Sequence, residues 1–248
     1  MIKLAENLND YDLSLFEDDI FFMRIRSDFD VMSRFENVFF YVCKNQAEIT
    51  AVISKVSDVI TISASEDADF IEINEFVKVV GFTTILCEDK YAYHFEGEKT
   101  SGKIMKIRAD ESLESYAEVL KADDLKNVYQ LLKKVFLGKI PDFSDWFVNT
   151  CYGVIHNSVM VAGIRSKDEF VAVAFALFVT EKTAVISAVA THPEHRNRGY
   201  AFEIIKKLLN ENKGKEIYLF LENPLIEEYY AKLGFVPFKM WSEIRNVI

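Results

Sequence analysis

The chain has 248 residues, half of them hydrophobic and 27 % charged, with a formal charge of −10. That composition excludes a disordered chain, and the negative balance excludes a surface built to coat nucleic acid, which rests on many Lys and Arg contacts to phosphate. The length suffices for one large domain or two compact halves. Cys43, Cys87 and Cys151 are odd in number, widely spaced and free of any CxxC or His pair, so neither a disulfide framework nor a zinc site is expected. The N-terminal stretch MIKLAENLNDYDL has no basic segment leading into an apolar one, so no secretory signal is expected. The longest apolar run, Phe170–Val179, is about half of what a membrane span needs. A cytoplasmic chain with no membrane partner is the expectation.

In chain order, FFYVC (39–43), ITAVISKV (49–56) and VITISA (59–64) have strand composition, β-branched and aromatic with polar breaks. Apolar residues at three- and four-residue intervals, Phe70, Ile73, Phe76, Val77 and Val80, predict a helix over about 68–80. The strand FTTILCE follows, and later the strand GKIMKIRAD. Residues 123–136 and 142–152 predict two helices separated by a break at Gly138 and Pro141. The segments SVMVAGIRS (158–166), EFVAVAFALFV (169–179) and TAVISAVAT (183–191) predict three more strands. A helix over 200–212 carries Ile204, Ile205, Leu208 and Leu209 on one side and Glu203, Lys206, Lys207 and Glu211 on the other. EIYLFLE is a short strand, 224–233 a helix stopped by Gly234, and FVPFKMW a last strand. The order strands, helix, strand occurs twice, which predicts two α+β units, 1–115 and 116–248.

The junction between the strand TAVISAVAT and its helix is THPEHRNRGYA. The first amides of a helix have no intrahelical acceptor and sit at the positive end of its dipole, a ready anion site. Pro193 breaks the strand, Gly199 lets an anion approach the backbone, Ala201 keeps the next turn small, and Arg196 and Arg198 add positive charge. Charge-assisted bonds contribute about 1.5 to 3 kcal/mol each, so a few amides closing on a diphosphate anchor a cofactor. Neither GxxxxGK[ST] nor GxGxxG occurs, so the other phosphate loops do not fit. At the matching junction of the first half, SEDADF presents three carboxylates and no glycine or arginine, so that half is not expected to bind the same ligand.

The pattern Val189-x-Thr191-x-Pro193-x-x-Arg196-x-x-Gly199-x-Ala201 resembles the acyl-coenzyme A signature of the GNAT superfamily of N-acetyltransferases, RxxGxG or RxxGxA; its spelling ThPexRxxGYA looks like the glycine N-acyltransferase-like branch. Downstream, Asn223 followed by Tyr229-Tyr230-Ala231-Lys232-Leu233-Gly234-Phe235 is similar to the family's N…YxKxGF ending. The resemblance covers about residues 120–248. It implies tandem GNAT-like halves of α+β class, the first degenerate, each a mixed, mostly antiparallel twisted sheet flanked by helices, with a V-shaped strand splay in the C-terminal half. It implies acetyl-CoA as cosubstrate: Val189, Ala190 and Thr191 pair with the pantetheine arm, and the backbone of Asn197, Arg198, Gly199, Tyr200, Ala201 and Phe202, with Arg196, holds the diphosphate. A primary amine of a small molecule, amino acid or peptide attacks the thioester directly, with Tyr230 as the acid for the departing thiolate.

Other roles stay open at this point. Tyr230 also reads as a core aromatic on an amphipathic helix, and Asn223 either bonds the pantetheine amide or caps the helix. The base is unassigned, because TAVISAVAT lacks the carboxylate many members carry there; Ser187, through a water, and Glu222 are the candidates. His192 and His195 titrate near neutral pH but read as solvent-facing. Phe136, Phe143, Trp146, Phe147 and Tyr152 form an aromatic cluster, either core or acceptor wall. The missing carboxylate also leaves a non-catalytic acyl-CoA sensor as the alternative function.

Overall fold

The computed structural model describes residues 1–46, 48–110, 112–137 and 140–246, so Gly138 of the expected break lies outside the described residues. Two compact units are present: one holds Met1–Ile104, Leu221–Leu225 and the chain from Pro237 onward, the other Met105–Phe220 and Ile226–Val236.

The first unit contains β1 (Ile2–Leu4), α1 (Ile20–Met32), β2 (Val38–Asn45), β3 (Glu48–Val56), β4 (Val59–Ala64), α2 (Phe70–Val80), β5 (Thr84–Glu88) and most of β6 (Glu98–Arg108). Its strands run β1-β2-β3-β4-β5, antiparallel until β4, which pairs in parallel with β5. A parallel neighbour requires a crossover, and α2 supplies it. Alternation along the strands divides the core. Val42 and Val52 face Phe22, Ile25 and Phe29 of α1, whereas Cys43, Ala51 and Ile53 face Ile73 and Val77 of α2. Cys43 and Cys87 are buried free thiols, and burial pushes both up to about 12, so they are inert packing residues.

No sequence periodicity announces α1, and the reason is its width of burial. Ile20, Phe21, Phe22, Ile25, Ser27, Asp28 and Phe29 are all buried, so no clean polar face alternates with an apolar one. Its start is fixed instead by Asp19, whose carboxylate accepts from the amides of Phe21 and Phe22 at 2.8 and 3.1 Å. Burial pushes the Asp28 carboxyl up to about 6, with Arg24 one turn away pulling in the opposite sense. A carboxyl raised above its unfolded value of about 3.9 keeps its proton longer in the native state, so stability falls as pH rises from about 4 to about 6 and stays lowered above that. Asp28→Asn, which cannot ionise, is therefore expected to gain up to about 2 kcal/mol over the wild type across that window. Urea unfolding at pH 4 and 7 checks this; a difference between the two proteins that does not change with pH refutes it.

The second unit continues with the end of β6 from Met105, then β7 (Glu118–Val119), α3 (Leu125–Phe136), α4 (Phe143–Ile155), β8 (Met160–Ser166), β9 (Glu169–Leu177), β10 (Thr183–Thr191), α5 (Tyr200–Glu211), β11 (Glu216–Leu221) and α6 (Glu227–Ala231). Strand order is β11-β10-β9-β8-β7, again antiparallel except for the pair β10–β11 that α5 bridges. Leu125, Val128, Leu131 and Leu132 of α3 bury against Val173, Phe175 and Ala190. The apolar side of α5 is buried as its spacing predicts, at Ile204, Ile205, Leu208 and Leu209. The helix expected over 224–233 is shorter: a 3-10 turn at Pro224–Ile226 precedes α6. Gly234 then stops it with φ +93. The last strand, β12 (Val236–Arg245), belongs to the first unit from Pro237 onward, and there its residues Trp241–Arg245 pair antiparallel with β5. The fold class is α+β, with mixed, mostly antiparallel sheets flanked by helices.

Candidate active site

The parallel pairing of β10 with β11 stops at Ile186 opposite Leu219. Ser187–Thr191 goes on paired to β9 alone, and its register shifts between Ser187 and Ala190. Ala188 sits at φ 48 in that bulge. A bulge adds a residue to one strand and sharpens its bend, so β10 turns away from β11 and opens a wedge beside the backbone of Val189, Ala190 and Thr191. Ala190 is fully buried and opposes Val173; Val189 and Thr191 are half-buried. Nothing in the letters AVAT signals the left-handed residue, which is why the bulge is a structural discovery rather than a sequence one.

Beyond β10 the chain makes a 3-10 turn at Pro193–His195 and two left-handed residues, Asn197 at φ 59 and Gly199 at φ 78, before α5 begins. Gly199 is the N-cap and has no side chain to close the helix end. Among the described residues, the amides of Asn197, Arg198, Gly199, Tyr200, Ala201 and Phe202 have no hydrogen-bond acceptor, the first intrahelical bond being that of Glu203 to the Gly199 carbonyl at 3.1 Å. Consecutive bare amides with left-handed residues among them are the kind of backbone arrangement that can accept an anion. A Cβ built on Gly199 meets nothing within 4 Å, so the space above it is open.

The two arginines brace this turn from outside. Arg196 Nε donates to the Thr191 carbonyl at 3.4 Å and Arg198 Nη2 to the Glu194 carbonyl at 3.1 Å, leaving both guanidinium groups exposed at its rim. The carboxylate nearest the helix start, Glu203, is drawn to Lys206 Nζ at 2.6 Å. His192 and His195 are half-buried rather than solvent-facing. The Glu194 amide donates to His192 Nδ1 at 3.4 Å, and the His195 ring lies 6.3 Å from that of Tyr200 with its Nδ1 sealed and unpartnered among the described residues.

Tyr230 lies on α6, 8 % exposed, its ring 5.9 Å from Phe235 and edge-on to Tyr229 at 5.2 Å. Burial raises its phenol above the usual value, so it is a protonated donor throughout the neutral range. Tyr229 differs. Burial, then the neighbouring Tyr230, push it up to about 12, and its hydroxyl is sealed without a partner among the described residues. Asn223 Oδ1 accepts from the Leu225 amide at 3.0 Å, the geometry of a turn cap. Ser187 is half-buried at the bulge and Glu222 exposed at the end of β11.

The aromatic cluster of α3 and α4 divides between core and surface. Trp146 packs on Phe175 at 6.3 Å and Tyr129 at 5.1 Å, while Phe143, 39 % exposed, leans on Tyr129 at 5.0 Å and on Phe147 at 5.3 Å. Phe136 is half-buried against the same core, and Tyr152 stacks on His156 at 3.9 Å. Gly153 is the one fully buried residue of α4, so much of this apolar helix remains half open. No described helix is long and apolar enough to cross a membrane.

Residues 125–235 match the model of the Acetyltransferase (GNAT) family. No curated protein sequence matches the chain. Among solved structures, a Drosophila protein is similar at TM-score 0.68 and 13 % identity, over 99 % of this chain and 98 % of that one. A tandem GNAT protein from the clavulanic acid biosynthesis pathway is similar at TM-score 0.56 and 11 % identity, covering 98 % and 97 % of the two chains. A GNAT-family acetyltransferase from Colwellia psychrerythraea is similar at TM-score 0.56 and 11 % identity, covering both chains fully. At such identities the likeness is one of fold.

Proposed function

We infer, from the match of residues 125–235 to the GNAT acetyltransferase family model, that this chain catalyses acyl transfer, and we propose that it is an acetyl-CoA-dependent N-acetyltransferase acting on a primary amine of a small molecule, amino acid or peptide. The observation that carries the proposal is the run of unpartnered amides from Asn197 to Phe202 beside an open Gly199. An anion-binding helix start with no competing acceptor suits a diphosphate, and the wedge left where β10 leaves β11 suits an extended pantetheine arm that adds to the free strand edge. Val189, Ala190 and Thr191 would line the arm; Arg196 and Arg198 would add charge at the diphosphate.

Direct transfer moves one acyl group: the amine nitrogen bonds to the thioester carbon, the carbon–sulfur bond breaks, and the thiolate takes a proton. The amine must first be neutral, which costs a lysine-like amine roughly 4.6 kcal/mol at pH 7. No carboxylate stands on β10 to take that proton, so Ser187, through a water, is the proposed relay. Tyr230 is the proposed acid, and the half-open aromatic side of α4 the proposed acceptor wall.

Two assays test the proposal. Acetyl-CoA at about 100 times its Kd should add about 2.7 kcal/mol of stability, seen as a higher thermal midpoint. A panel of amines should then release free coenzyme A thiol steadily. Stabilisation without release from any amine would replace the enzyme with the acyl-CoA sensor, and no stabilisation would remove the ligand altogether.

A further inference from the structure

The first unit has a cleft of its own, of about 500 Å3, at the junction of β4 and α2, the topological counterpart of the glycine turn. Its chemistry is opposite. Asp69 caps α2, accepting from the amides of Ile71 and Glu72 at 3.1 and 3.0 Å, so that helix end is already satisfied. Glu66 and Asp67 precede it, and an anion entering there would meet like charge.

What lines this cleft is a ladder of rings. Tyr93 leans on His94 at 3.9 Å, His94 lies flat on Phe70 at 4.2 Å and 5°, and Phe70 stacks on Tyr91 at 4.6 Å and 30°. One end of the ladder is closed by a cation: Lys90 Nζ stands 4.8 Å from the Tyr91 ring centre, with Glu66 and Glu88 each 3.6 Å from the ammonium. The other end is open, because Tyr93 is 73 % exposed. Ile71, 81 % exposed, adds an apolar wall to the same cleft. Burial lowers the basicity of His94, so the ladder carries no positive charge of its own at neutral pH.

We propose that this cleft binds a small organic cation with a flat apolar body, an aryl-alkyl ammonium, whose positive head lies on the open face of Tyr93. Ring faces are electron-rich and attract ammonium groups, and the Lys90–Tyr91 contact shows the same ladder already holding one. Glu66, paired with Lys90, and Asp69 line the same cleft, two carboxylates against one ammonium, so the lining is acidic and favours a cation, and Ile71 contacts the apolar body. A neutral aromatic ligand would leave the acidity of the lining unused, and an anionic one would oppose it. The site lies wholly within the first unit and does not depend on acyl transfer.

Titration calorimetry of the full chain with benzyltrimethylammonium, and separately with 3-phenylpropanoate of matching shape and opposite charge, tests the assignment. The cation should bind saturably with one site at millimolar concentration and the anion should not. Tyr93→Ala should weaken the cation by about two- to fivefold and Glu66→Gln should weaken it less, with acetyl-CoA binding unchanged in both. Both side chains are exposed, and an unshifted thermal midpoint verifies that each variant is folded. Equal binding of the anion, undiminished binding by Tyr93→Ala, or no saturable heat with the cation would each overturn the proposal.

Discussion

Gly199→Glu is expected to weaken acetyl-CoA binding by at least about a hundredfold while lowering the thermal midpoint of the free protein by only a few degrees. The effect on binding has two sources. A carboxylate placed on the N-cap competes with the diphosphate for the amides of Arg198 to Phe202, and it adds like charge where the ligand carries its own. Losing two charge-assisted bonds of about 1.5 to 3 kcal/mol each is enough for a hundredfold change. The effect on the fold is confined to backbone strain, because a Cβ at this position meets no atom within 4 Å and only the left-handed φ of +78 resists a side chain. That strain is about 1 to 2 kcal/mol, and Asn197 two residues earlier already bears a comparable φ of 59. Gly199→Ala separates the two sources: it introduces the strain without the charge, so its loss of affinity should be markedly smaller. Calorimetric titration of the three proteins measures it, and equal affinity of wild type and Gly199→Glu would remove the diphosphate from this turn.

Tyr230→Phe is expected to lower kcat by about a hundredfold with little change in acetyl-CoA affinity, the lower end of the range for removing a general acid. The substitution deletes one oxygen from a residue 8 % exposed and keeps the ring against Phe235 and Tyr229, so packing survives. Since burial raises the phenol above its usual value of about 10, the group holds its proton across the neutral range and is available to a thiolate at any working pH. Tyr229→Phe is the matched control. Its hydroxyl is sealed without a partner among the described residues, so deleting it should leave kcat unchanged and raise stability by about 1 kcal/mol. If Tyr230→Phe turns over like the wild type, the phenol is a packing group, and proton delivery to sulfur belongs elsewhere.

The sequence carried the parts of this fold that are local and periodic. Alternating β-branched runs gave the strands of both units, and the spacing of Ile204, Ile205, Leu208 and Leu209 gave the buried side of α5. The glycine turn was legible because its chemistry resides in residue types: a proline that ends a strand, a glycine that uncovers amides, arginines at the rim. What escaped is conformational or distant. The left-handed Ala188 that opens the wedge is an ordinary alanine in the sequence, chosen by the pairing of β9 with β10. Helix α1 buries residues around most of its girth and so has no apolar stripe to read. The pairing of β12 with β5 joins residues far apart in the chain, and no local pattern encodes it. The sealed Tyr229 hydroxyl beside Tyr230 depends on side-chain packing that the letters YY do not distinguish.

A crystal structure of the protein grown with acetyl-CoA would test the central claim most directly. The account predicts diphosphate oxygens within hydrogen-bond distance of the amides of Arg198 to Phe202 and the pantetheine arm running along Val189 to Thr191. Acetyl-CoA bound elsewhere on the chain, with those amides facing solvent, would contradict it.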